Sequence, residues 1–357
     1  MENNFNFIRL IAAWLVLFGH SFQFLGIPEP HFMSFLPLGP LGVCIFFTIS
    51  GFLVTKSWES DPHLLRFFMR RSLRIFPGLI VCILLTIFVL GPVISSLPAA
   101  EYFSHPNTLF YLNNIILYPI YSLPGVFEHN TIPHAVNGSL WSLPVEFMAY
   151  VALAATAFVF RSKWAYVALA ILVCALAYFW AGKRTEMFVF YGSDLRQLCF
   201  YGTFFAIGSV IAAFNLQRHF TITLVTLAIV LIICMERFTA ELIIMMRFLL
   251  PIAVIGFGIA SSPLISKLTS SGDYSYGIYI YAFPVQQTIV HLYPDIGISN
   301  YILICTVVTL LLSIASWHLI EQHALRLKPR KRHNTKEPTN SHQVSNSENQ
   351  RSMAIAE

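Results

Sequence analysis

The first apolar stretch of the chain holds two ionisable residues that such a stretch ordinarily excludes. FIRLIAAWLVLFGHSF, from Phe7 to Phe22, contains Arg9 and His20. An α-helix turns about 100° per residue, so eleven residues bring His20 to within about 20° of Arg9, roughly 16 Å further along the axis. A cation and a base on one face at that separation can grip one end of an anionic ligand and work on its other end. The structural alternatives are a snorkelling anchor for Arg9 and a histidine satisfied by a neighbouring helix for His20. Ionisable groups at membrane depth point to function by default.

Three further stretches carry groups of the same kind. In RRSLRIFPGL, Arg71 and Arg74 stand at i, i+3 and share a helix face. With Arg66, Arg70 and Arg9 they form a cluster suited to the phosphates of a nucleotide-containing cofactor, unless they only mark the cytoplasmic side. Pro77 is expected in the first turn of its helix, where the missing N–H matters little. In NGSLWSLPVEF, Glu146 is expected a few residues inside the outer end of a span, at a depth like that of His20. A buried carboxylate needs a partner, and pairing with His20 would orient the ring and raise its basicity. Asn137 and Trp141 are placed just outside, at the interface. Trp141 is there either a belt residue or a ring that stacks on a sugar. Ser50 sits among Gly39, Gly42 and Gly51, a pattern of close helix packing, and no GxSxG elbow surrounds it. GDYSYGIYIYAFP places Asp273 and Tyr276 near the cytoplasmic entrance, with most of its tyrosines read as packing residues.

These residues need a scaffold of membrane helices. The 357 residues are 56% apolar and 11% charged, with 32 Phe, 15 Tyr and 6 Trp. Soluble domains average about 25% charged residues. The net charge of +5 gathers mostly in the last thirty residues and lacks the interleaved pattern of a nucleic-acid binder. The six cysteines stand singly in apolar runs and read as small core residues, with no metal-ligand spacing. No metal is expected. The leader has no cleavable-signal pattern.

A span needs roughly 20 apolar residues. Ten candidates lie near 5–25, 36–57, 75–95, 143–160, 164–181, 197–214, 219–236, 242–260, 274–292 and 299–320. Lys56, Arg66, Arg70, Arg71, Arg74, Arg161, Lys163, Arg218, Lys267 and the tail from Arg326 fall on alternate loops. The opposite loops hold Lys183, Arg184, Arg196, Arg237 and Arg247, and the segment 96–142 has no Lys or Arg. The positive-inside rule thus gives both termini inside. The fold class is all-α and polytopic, with about ten transmembrane helices, N-in and C-in. Residues 1–325 form the membrane domain, with a structured external loop near 96–142, and 326–357 a disordered cytoplasmic tail.

The order of these motifs resembles the integral-membrane acyltransferase 3 family, over Asn6 to Glu321. The resemblance rests on Arg9 and His20 with ten residues between them, GxxGVxxFFxxSGFL from Gly39 to Leu53, and RxxR at Arg71 and Arg74. It also rests on Asn137, Leu140, Trp141, Ser142, Leu143 and Glu146, and on Ser275 through Pro284. It departs at Ala282, where many members carry histidine, and the chain lacks the SGNH-type domain fused to some. The resemblance implies transfer of an acyl group, most often acetyl, from cytoplasmic acyl-CoA to a hydroxyl of a surface glycan or glycolipid. The setting is a bacterial inner membrane, crossed many times. Arg9, Arg71 and Arg74, with Arg66 and Arg70, are then expected to hold the acetyl-CoA phosphates and pantetheine. His20 is the expected general base, Glu146 its partner, and Trp141 and Asn137 face the acceptor. An acyl-histidine intermediate is the variant left open. A transporter or flippase of glycan or lipid precursors is the competing class; it would also need intramembrane charges, but no inverted repeat is evident.

Overall fold

In a computed structural model, residues 3–33, 36–183, 185–234, 243–260, 262–269 and 271–329 are described. The tail beyond 329, the loop near 236–242 and Arg237 lie outside the described residues.

Helices occupy each of the expected apolar runs. They are α1 (Phe5–Phe24), α2 (Leu38–Ser60), α3 (Leu64–Ile94), α4 (Gly138–Phe160), α5 (Trp164–Lys183), α6 (Leu195–Ala213), α7 (Ile222–Cys234), α8 (Ile243–Ile259), α9 (Ser275–Leu292) and α10 (Ile298–Arg326). Seven of them, α1 to α6 and α10, are long and apolar enough to cross a membrane among the described residues. The described parts of α7 and α8 are shorter, and α9 carries more polar residues. The chain is therefore a multi-pass membrane protein. Exposed Trp164, Ile171, Phe179, Leu303 and Leu311 form the apolar outer face expected toward lipid.

The centre of the bundle is α2, packed between α1 and α6. Glycines bring these backbones together. A Cβ on Gly42 would stand 2.5 Å from Ala12 O, one on Gly208 2.5 Å from Thr48 O, and one on Gly51 2.0 Å from Phe205 O. In lipid, helix association relies on such close contact. Gly51→Ala therefore has no flexible side chain to push aside. It is expected to destabilise the chain at or above the ~3 kcal/mol that ordinary overpacking reaches. Thermal melting of the purified protein measures this, with Gly297→Ala, which meets nothing within 4 Å, as the control.

Two expectations about chain path need correction. First, α3 begins at Leu64, capped by His63 Nδ1 accepting the Arg66 N–H, so Pro77 lies mid-helix and not in its first turn. The stretch LLRFFMRRSLR reads as a charged loop because its arginines mask an amphipathic helix. Second, the segment before α4 is not a rim. Asn137 Nδ2 donates to Ile280 O at 2.8 Å, and Tyr279 Oη donates to Ser139 O at 2.9 Å. Ile280 is five residues from the start of α9 and twelve from its end, about 8 and 18 Å at 1.5 Å per residue. The chain entering α4 thus plunges beyond the middle of α9. Non-helical backbone survives at such depth only when protein satisfies it, as α9 does here.

Candidate active site

Asp273 anchors the site. It caps α9 through Oδ1, which accepts the Ser275 hydroxyl at 2.5 Å and the Ser275 N–H at 3.3 Å. Its Oδ2 pairs with Arg74 at 2.5 Å and Arg9 at 3.2 Å. Burial pushes the Asp273 carboxyl up, but Arg74 and Arg9 more than reverse this and hold it well below the usual carboxylate range. One carboxylate thus ties α1, α3 and α9 together and fixes two guanidiniums at the mouth of a cavity.

That cavity has a volume of about 220 Å³. Arg9, Arg71, Arg74 and Lys328 line it, together with Ser50, Glu146, Tyr150, Tyr276 and Tyr279. Arg71 Nε is buried without a hydrogen-bond partner among the described residues. Lys328 arrives from just beyond α10; burial and then Arg74, Arg71 and Arg9 push its ammonium down to about 8. Glu146 faces these cations and accepts the Ser50 hydroxyl at 2.5 Å and the Tyr150 hydroxyl, both on Oε1. Against four cations stand the Glu146 and Asp273 carboxylates, so the site is built for an anion. Glu321 lies behind this wall, against Gly78. A π-turn over Trp317–Glu321 carries it inward, Gly78 leaves room for it, and its Oε1 accepts the Ser316 hydroxyl at 2.7 Å.

Arg66 and Arg70 are not part of this cluster. Side chains on a helix lean toward its N-terminus, and both reach back to Asp61 in the turn between α2 and α3. Arg66 makes two bonds to its carboxylate, at 2.5 and 2.9 Å, and Arg70 one to the carboxylate at 2.8 Å and one to the Asp61 carbonyl at 3.5 Å. Hydrogen bonds from Arg66, and from Arg70 behind it, hold the Asp61 carboxyl well below its ordinary value. These two arginines staple a turn.

His20 lies at the other end of α1. Its ring meets Phe24 and Phe283 edge-on, with centroids 6.3 and 5.7 Å apart, and its Nδ1 is buried without a partner among the described residues. The expected pair with Glu146 is not formed. Because α4 starts deep, Glu146 falls beside Ser50 in the cation cavity, and Phe283 fills the space between His20 and Gly138. Between Arg9 and His20 the shared face packs shut as a seam of Ala13 and Leu17 against Ile278 and Ala282. The residue that departs from the family pattern, Ala282, is therefore a small seam residue. Asn137 is buried and spends its amide on Ile280. Trp141 packs on Tyr201 at 5.3 Å rather than lying at a rim. Sequence reasoning passed over Asp273 as an anchor, and over Tyr150, Glu321 and Lys328. Asp273 alone left a signal, an acid two residues before an aromatic helix.

A bundle of apolar helices enclosing a cation-lined, carboxylate-anchored cavity defines a polytopic membrane protein with a positively charged internal site. The family model Acyl_transf_3, described as an acyltransferase domain, matches residues 2–318, and the chain belongs to this family. It is a membrane-embedded O-acyltransferase. An O-acetyl transferase of Shigella phage Sf6 is 29% identical over 91% of this chain and 96% of its own length. Nodulation protein 10 of Rhizobium leguminosarum bv. viciae is 29% identical over 92% and 94%. Peptidoglycan O-acetyltransferase OatA of Listeria monocytogenes is 28% identical over 35% of this chain and 21% of its own length. No solved structure matches the chain.

Proposed function

We propose that the protein moves an acetyl group from cytoplasmic acetyl-CoA, or a related acyl-CoA, to a hydroxyl of a cell-surface glycan or glycolipid. In this reading it resides in the inner membrane with ten spans and both termini inside. The observation that carries it is the gathering of Arg9, Arg71, Arg74 and Lys328 in one cavity with an excess of positive charge. Adenosine phosphates of the donor pair with Arg71, Arg74 and Lys328, while Arg9 holds the root of the pantetheine arm. The arm reaches toward His20 by parting the seam between α1 and α9, which is closed in this structure; the roughly 16 Å offset of His20 from Arg9 matches an extended arm. Glu146 keeps its carboxylate in the donor cavity, where it orients Arg71 and balances its charge. The acceptor approaches on the side of Trp141.

His20 takes the proton of the acceptor hydroxyl as its oxygen bonds to the thioester carbonyl carbon. The C–S bond then breaks, and the departing thiolate takes that proton back from the imidazolium. Acyl ester and free CoA thiol are the products. The named relatives support acetyl as the group and a glycan as the acceptor, since two are O-acetyltransferases by name and one acts on peptidoglycan.

Membrane vesicles carrying the full chain and given [14C]acetyl-CoA are expected to label envelope glycan. Vesicles that translocate glycan without labelling it would overturn the reading. Arg71→Ala removes a charge-assisted contact of ~1.5–3 kcal/mol. It is expected to raise KM for acetyl-CoA about ten-fold or more and leave kcat nearly unchanged. A loss confined to kcat argues against a donor-binding role.

A further inference from the structure

The carboxylate near His20 is not Glu146 but Glu29, in the thirteen-residue connection between α1 and α2. Gly26, at φ +67°, reverses the chain there, and the Glu29 side chain folds back into the crossing of the two helices. Its Oε1 accepts the Gly39 N–H at 2.9 Å, and its Oε2 accepts from Gln23 Nε2 at 2.7 Å. Glycine makes the room: a Cβ on Gly19 would stand 2.2 Å from Glu29 Oε1. Gly19 directly precedes His20, so the carboxylate packs against the turn of α1 that carries the imidazole. Among the described residues it is the one charged group so placed. Phe24 from α1 and Phe283 from α9 cover the ring, and Gln286 of α9 binds Leu17 O and Ser21 Oγ; none of the three ionises. Tyr201 of α6 is the further titratable group coupled to Glu29.

Capping the first turn of α2 explains Oε1. It does not explain why the carboxylate is folded back against Gly19, the residue beside the base, where glycine alone leaves it room. Resting on the reading of His20 as the general base, we propose that Glu29 is its positioning carboxylate. It stabilises the imidazolium that exists between removal of the acceptor's proton and its return to the leaving thiolate. It acts through charge, because His20 Nδ1 has no hydrogen-bond partner among the described residues. Glu146 is left to the donor cavity, so one carboxylate serves each end of α1.

The test is the pH–rate profile of acetyl transfer by vesicles carrying the full chain, with [14C]acetyl-CoA and a crude envelope-glycan fraction. Glu29→Gln keeps an acceptor for the Gly39 N–H and removes the charge. A nearby carboxylate makes a base hold its proton to higher pH, so its loss is expected to move the acidic limb down by about one unit. The weaker base lowers plateau kcat about three- to ten-fold, with KM for acetyl-CoA within about two-fold. Glu29→Asp, which keeps the charge, is expected to leave the limb in place even where it loosens the Gly39 contact. A limb unmoved in Glu29→Gln, or moved as much in Glu29→Asp, overturns the proposal. If His20→Ala is inactive while Glu29→Gln has an unmoved limb, Glu29 is only a helix cap and the base assignment survives. If His20→Ala is fully active, the base assignment fails, and Glu29 loses its proposed role with it.

Discussion

Asp273→Asn is expected to lower the stability of the protein by ~3–5 kcal/mol, the range measured when one partner of a buried ion pair is removed. Asp273 is 6% exposed and holds both Arg9 and Arg74. Asparagine keeps the hydrogen bond from Ser275 but leaves two guanidiniums facing each other and Arg71. Thermal melting of the purified chain measures the loss. Ser275→Ala, which removes one bond to the same carboxylate, is expected to cost only ~1 kcal/mol. The pH dependence follows from the depressed carboxyl. A group whose folded value lies below its unfolded value of ~3.9 stabilises fully above that value, and the contribution disappears as pH falls through the lower folded value. Wild-type melting should therefore show no loss from this clamp between pH 7 and about 5. An Asn variant as stable as Ser275→Ala would mean that the clamp contributes little beyond its hydrogen bonds.

His20→Ala is expected to reduce acetyl transfer by ~10²–10⁴-fold, the usual worth of a general base. Donor binding should persist, because Arg9, Arg71 and Arg74 are gathered at the far end of α1. The ring packs against Phe24 and Phe283, so a modest loss of stability accompanies the change. Comparing turnover with acetyl-CoA binding in the same vesicles separates the two effects. Retained turnover would remove His20 from the chemistry, and lost binding would place it in the donor site.

The helices were legible because long apolar runs in a low-charge chain admit little else. The gathering of Arg9, Arg71 and Arg74 was legible because the i, i+3 spacing puts Arg71 and Arg74 on one helix face and Arg9 stands at the end of its own helix expected on the same side of the membrane. Their anchor was not: Asp273 lies 264 positions from Arg9 and 199 from Arg74, and no local pattern spans that distance. The start of α3 was hidden by its own arginines, four of which find their place only through Asp61, Asp273 or the cavity. The error over Glu146 has one physical source. Polar residues such as Asn137, Ser139 and Ser142 read as a surface segment, yet α9 satisfies them inside the protein. Once that segment descends, Glu146 descends with it, and the partner of His20 has to come from the opposite turn.

The seam of Ala13, Leu17, Ile278 and Ala282 has an electrical consequence. From Ala13 to Leu17 is four residues, roughly 6 Å of helix, far less than the ~30 Å hydrocarbon core of a bilayer. If water fills the donor cavity, much of the membrane voltage falls across this short plug, where each elementary charge carried through costs ~2.3 kcal/mol per 100 mV. On the proposed function, a neutral acetyl thioester enters such a layer without electrical work, whereas phosphates paired with the arginines stay on the near side. In that reading the seam acts as a thin insulator that admits the neutral acyl-bearing arm and keeps the charged phosphates of its carrier on the near side.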